Sequence, residues 1–165
     1  MASSLVSAID GLEDLLVAST TFMGSIDLPT EQRVRDERIM LEALTDENDK
    51  LISKLPAAAL LEADHAWSML SHGPGIETGA SGTITLLLAK PTTDARVLKK
   101  ARREFTNWAS TIVDEIMDQV ATGNYYQFAG ATLNQRAVRP PRAERSVPGE
   151  DWWWCSYDFR WGFDE

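Results

Sequence analysis

The sequence predicts an α+β fold: a mostly antiparallel sheet of about four to five strands, flanked by an N-terminal helix and one long amphipathic helix. Three observations predict it. Apolar residues recur at helical spacing in two stretches, near residues 4–18 and 97–122, and β-branched or alternating runs lie between and after them. The chain then ends in DWWWCSYDFRWGF, whose residues alternate with a period of two. The order holds too few strand–helix–strand units for a parallel sheet, which suits helices gathered on one face of an antiparallel one. With 165 residues, 44% hydrophobic and 25% charged, the chain reads as a single domain, 1–165. At that length folding buries roughly 70% of the unfolded surface, so neither a metal nor a disulfide is required.

The first helix follows from Leu5, Ile9, Leu12, Leu15 and Leu16, with Ser3 or Ser4 available as N-cap and Asp10, Glu13 and Asp14 on the wet face. Ser19-Thr20-Thr21 ends the periodicity. Phe22-Met23-Gly24 and Pro29 read as a loop with its one ring tucked inward. Two readings stand for residues 31–44: their charges suit a short helical turn, and Arg38-Ile39-Met40-Leu41 suits a strand entering the sheet. Residues 57–70 alternate in part, Leu61, Ala63, His65, Trp67 and Met69 on one side and Glu62, Asp64 and Ser68 on the other, as in a half-buried strand. GPGIETGASG, residues 73–82, holds four glycines and a proline and is predicted as a protruding loop. Residues 83–88, TITLLL, return as a second strand.

The strongest signal is the long helix. Leu98, Ala101, Phe105, Trp108, Ile112, Ile116 and Val120 share one face, widened by Ala109, Val113 and Met117, with Asp94 as candidate N-cap and Gly123 at C′. A strand is predicted over 125–138. The Pro- and Arg-rich arm, 139–150, then breaks it and is expected to protrude. The last strand, 152–161, puts Trp153, Cys155, Tyr157, Phe159 and Trp161 on its core face and Trp152 and Trp154 on the other.

No pattern of catalytic chemistry emerges. His65 and His72 lack a second His or Cys at metal-ligand spacing, and Cys155 sits mid-strand without the cationic or helix-terminal setting of a reactive thiolate. That lone cysteine forms no internal disulfide and suits a reducing compartment. The glycine loop lacks the Lys of a phosphate-cradling loop, and Glu62 with Asp64 reads as a solvated strand face. The chain is therefore expected not to be an enzyme, and to need no cofactor or metal. The N-terminus lacks the basic start of a secretory signal, and no apolar stretch approaches the roughly 20 residues that span a bilayer, so no membrane contact is expected.

Two basic clusters stand out from a net charge of −9, which argues against coating nucleic acid. Lys99, Lys100, Arg102 and Arg103 open the long helix, where the macrodipole disfavours cations. Arg136, Arg139, Arg142 and Arg145 are spaced through the arm. Intrachain pairing with the surplus acids, an acidic neighbouring subunit and nucleic acid all account for them. Trp152 and Trp154 have three readings: cover by the same chain, a subunit contact, or a stacking platform for a sugar or base.

The N-terminal helix ending in ASTTF, the Gly-rich hairpin, the helix EFTNWASTIVDEIMDQV, the segment YYQFAGATLNQRAVRPP and the terminal strand DWWWCSYDFRWGF occur in an order that resembles small neck proteins of tailed bacteriophages. The resemblance is specifically to the tail terminator or tail completion family. The resemblance covers most of the chain and lies in layout and local texture. It implies antiparallel strands flanked by two helices and a homohexameric ring at the head-proximal end of the tail tube. It implies no catalytic residues. The partners would be the tail tube protein and the head–tail connector or adaptor, with DNA only passing through the lumen. The protein would belong to the virion, assembled in the host cytoplasm, and an acidic lumen would repel the passing phosphates. Loop 73–82 and arm 139–150 would reach neighbouring subunits or rings. Lys99, Lys100, Arg102, Arg103, Arg136, Arg139, Arg142, Arg145, Trp152 and Trp154 are the candidate interface residues. The rivals are a head-closure or adaptor protein of the same neck, a soluble module binding through the Trp-rich strand and, more remotely, an enzyme.

Overall fold

The computed structural model describes residues 4–42, 54–72, 75–91, 98–123, 125, 128, 144–147 and 150–164. Its elements are α1 (Ser4–Ala18), α2 (Thr20–Gly24), α3 (Glu31–Arg38), β1 (Ile39–Met40), β2 (Ala57–His72), β3 (Gly75–Pro91), α4 (Leu98–Ala121), β4 (Glu144–Val147) and β5 (Glu150–Asp164). The five strands form one sheet in the order β1-β2-β3-β5-β4, antiparallel except where β1 meets β2.

The helices pack on one face of this sheet. Leu12, Leu15 and Leu16 of α1, Phe22 of α2, Val34 of α3, and Phe105, Trp108, Ile112 and Ile116 of α4 form one cluster with Leu60, Ile84, Leu86, Leu88, Tyr157 and Phe159. Each large side chain removed from water there contributes roughly 1.5–3 kcal/mol. Phe105 stacks on Trp153 with centroids 6.4 Å apart and meets Trp108 tilted by 40° at 5.8 Å, and Lys90 lays its ammonium 5.3 Å from the Trp108 ring centroid. Gly123, at φ +76°, ends α4 as its position in the sequence predicted. The candidate N-cap Asp94 lies outside the described residues, as does Ser3.

Several expectations are corrected. Phe22-Met23-Gly24 is not loop but the end of α2. Ser19 caps it, its hydroxyl accepting the Phe22 N–H at 3.0 Å, and the tucked ring of Phe22 is fully buried. The ambiguous segment 31–44 is both things in turn, α3 capped by Thr30 and then β1. GPGIETGASG is strand from Gly75 onward. Gly79 and Gly82 lie inside the sheet, opposite Ser68 and His65 on β2 and Asp164 and Trp161 on β5. Pairing on both sides offsets glycine's weak strand preference of about 1 kcal/mol per residue. Gly73 and Pro74 lie outside the described residues. The strand predicted over 125–138 is not present at its start: past Gly123, Phe128 donates its N–H to the Tyr125 carbonyl in a turn and sends its ring into the core. The rest of that stretch lies outside the described residues. The arm 139–150 includes a strand, since β4 pairs with the start of β5.

The face opposite the helices is built differently. Ladder partners share a face, so Ala57, Ala59, Ala89, Trp152, Trp154 and Asp158 lie there. A smaller cluster of Leu55, Ala57, Ala89 and Trp152, with Met40 and Trp154 packed against it, covers one end. A bulge between Glu62 and Asp64 also corrects the expected side-sharing of this acid pair: Glu62 pairs with Ile84 and Asp64 with Thr83, placing them on opposite faces.

Candidate functional site

Lys99, Lys100, Arg102 and Arg103 all project into solvent from the first turns of α4. Lys100 lies 3.8 Å from Glu104 one turn on, an exposed pair of small energetic weight. Lys100, Arg103, Glu104 and Asn107 line an open depression. Arg145 falls in β4, opposite Asp151 in the ladder, while Arg136, Arg139 and Arg142 lie outside the described residues.

Trp152 and Trp154 are not together in water. Trp152 is only 3% exposed, enclosed by its own chain's Leu55, Ala57 and Ala89, and Trp154 is half-buried beside it. Of the three readings of this face, cover by the same chain is the one that Trp152 shows; alternation alone showed the pleat and not that Leu55 packs against it. The structure does not bring the Trp pair and the basic cluster together: α4 packs on one face of the sheet and Trp152 on the other.

Cys155 points into the main core, and burial pushes its thiol up to about 12, a hydrogen bond with Tyr157 opposing part of that shift. Tyr157 is itself raised, by burial first and then by its charged neighbourhood. Neither group is poised for chemistry near neutral pH. His65 and His72 stand in β2 opposite Gly82 and Gly75. Among the described residues, no three of His, Cys, Asp and Glu are grouped to hold a metal ion, and no helix is long and apolar enough to cross a membrane.

Two polar arrangements were missed by sequence reasoning. Glu115 leaves α4 beside the start of α2, where its Oε1 accepts from the hydroxyls of Thr20 at 3.1 Å and Thr21 at 2.7 Å. Its Oε2 accepts from the Ser19 hydroxyl and from the Thr21 N–H at 3.2 Å. Desolvation opposes ionisation of this carboxyl, but the four hydrogen bonds outweigh it and hold Glu115 below the usual carboxylate range. The carboxylate thus caps α2 from another helix and ties α1, α2 and α4 together. Its signal was present, a Ser-Thr-Thr run and an acid at the margin of the long apolar stripe, but the distance of 96 residues between Ser19 and Glu115 hid it. The second is Asp158, buried on the helix-free face, which accepts the Thr85 hydroxyl at 2.7 Å directly across the ladder.

Two features of the sheet bear on assembly. Among the described residues, β1 pairs only with Ala58 and Ala59, so the outer edge of β2 has no strand beside it from Leu61 to His72. At the other side, among the described residues, β4 pairs with Glu150, Asp151 and Trp152 at the start of β5. β2 and β5 run the same way, because both are antiparallel to β3. Asp64 on one edge and Arg160 on the other are exposed and level with each other, being ladder partners of Thr83 and so on the same face.

A scan against models of known protein families finds no match to this chain, and a search of curated proteins finds none either.

Proposed function

We propose that this chain is a structural virion protein of the neck of a tailed bacteriophage, closing into a six-fold ring that terminates the tail tube and joins it to the head connector. The observation that supports the ring is that the long strands β2 and β5 run the same way on the two sides of β3, with exposed Asp64 and Arg160 at one level of the sheet. Edge-to-edge pairing of strands from neighbouring copies extends a sheet from subunit to subunit. Copies standing side by side in one orientation present the β5 edge of each to the β2 edge of the next, a head-to-tail contact that generates rings. Without stagger, Arg160 of one copy stands across from Asp64 of its neighbour, which favours this register over a like-charged one. The six-fold number, the tail tube and the connector come from the resemblance in layout. A stacking platform on the Trp-rich strand draws no support, since Trp152 is enclosed by its own chain.

Native mass spectrometry of the purified chain, alone and with tail tubes, tests this. A closed oligomer of six copies, free or seated on the tube end, is expected. A chain that stays monomeric at high concentration and does not bind tube ends would overturn the reading.

A further inference from the structure

Among the described residues, the charges on the outward face of α4 have one intrachain ion pair, Lys100 with Glu104. Taking 100° per residue, Lys100, Arg103, Asn107, Ser110, Thr111, Asp114 and Asp118 form one stripe opposite the buried Ala101, Phe105, Ile112 and Ile116. Lys99 lies beside its start, Arg102 lies farther round toward the buried face, and Glu104 lies at the opposite margin beside Lys100. The stripe is basic at its beginning, small and polar in its middle and acidic at its end. This is the reverse of what the helix macrodipole favours, and α4 has neither an acid in its first turn nor a base in its last.

The order is also self-complementary. If a second α4 is laid antiparallel across the stripe with the two-fold axis near Ala109, Lys100 meets Asp118 of the other copy and Arg103 meets Asp114, each twice by symmetry. The middle meets itself. There the Ser110 hydroxyl donates to the Asn107 carbonyl at 3.2 Å, and the Thr111 hydroxyl donates to the same carbonyl at 2.8 Å. These short side chains are folded back on their own helix and allow axes to approach to about 8–10 Å. A parallel arrangement would instead set cation against cation and acid against acid.

We propose that two copies of this chain pair through the outer face of α4, side by side and antiparallel about a two-fold axis. The contact uses the helix layer and not the sheet edges, so it stands or falls apart from ring closure. Because its charges are exposed, it is weak and salt-sensitive.

Sedimentation velocity of the full chain tests it, with Lys100→Glu/Arg103→Glu as one variant and Asp114→Lys/Asp118→Lys as another. At about 50 mM salt the wild type should show a two-copy species, or two-ring species if rings form, whose dissociation constant rises at least about tenfold by about 500 mM. Each variant alone should lose that species, and an equimolar mixture of the two should restore it as a one-to-one pair. A wild type without pairing at low salt, variants that pair as well as it does, or a mixture that fails to restore pairing would each overturn the proposal. A single ring unchanged by every variant would do so too, while leaving the ring itself intact.

Discussion

Trp152 and Trp153 are neighbours in one strand, and each is buried, but in cores of very different kind. Trp153 joins the cluster in which four helices cover the sheet with interlocking large side chains. Trp152 sits on the other face, in a small cluster of Leu55, Ala57 and Ala89 beside a half-buried Trp154. The same alternation thus yields a thick, dry core on one side and a thin cover on the other. Burial of a single residue does not tell how much of the fold depends on it. The cost of losing it depends on how far the surroundings can collapse or admit water.

The dryness of the helix-covered face is most sharply read by Cys155. With its thiol pushed from an ordinary 9.0 up to about 12, the native protein should react with a disulfide reagent at pH 8 roughly a thousandfold more slowly than the unfolded chain, thiolate being the reactive form. Comparable rates in the two states would mean that this face is wet. Mutation draws the same contrast in free energy. Phe159→Ala, in the thick core, should cost about 3–5 kcal/mol in urea denaturation, and Trp152→Ala less, about 2 kcal/mol, because solvent can refill the thinner site. Equal losses would erase the distinction.

Glu115 tests a smaller effect at the edge of the thick core. Its folded-state pKa lies below its unfolded value, so its contribution is present above the ordinary carboxylate pKa, near 4.5, and is lost as pH falls through the folded value. Partial exposure limits the contribution to about 1 kcal/mol. Denaturation series at pH 7 and pH 3 should show wild type losing more stability on acidification than Glu115→Gln. Parallel losses would remove the carboxylate from its role as the cap of α2.

How much of this was legible depends on the range of the interaction concerned. Periodicity within one element predicted α1 and α4 and sorted the two faces of β5, because burying one face imposes a period that the residues carry themselves. The bulge after Glu62 left no such mark, since one extra residue moves every later side chain of β2 to the other face. The glycines of β3 were read as a loop because local preference speaks against strand there. Two flanking partners override it. The cover over Trp152 and the capping of α2 by Glu115 join residues far apart in the chain, which no local pattern encodes. The basic start of α4 was visible at once. Its match with Asp114 and Asp118 appeared only when the exposed stripe was read along the whole helix.

The central claim, that the β2 side of one copy joins the β5 side of the next in one orientation, is tested most directly by cross-linking Asp64→Cys/Arg160→Cys, whose exposed positions lie on β2 and β5 at one level of the sheet. Cys155 is buried and should stay out of the reaction. Mild oxidation should give a ladder of disulfide-linked species on a denaturing gel that ends at six copies, with each single variant stopping at two or fewer. A double variant that remains monomeric under oxidation, while the wild type forms its assembly, would contradict the edge-to-edge account.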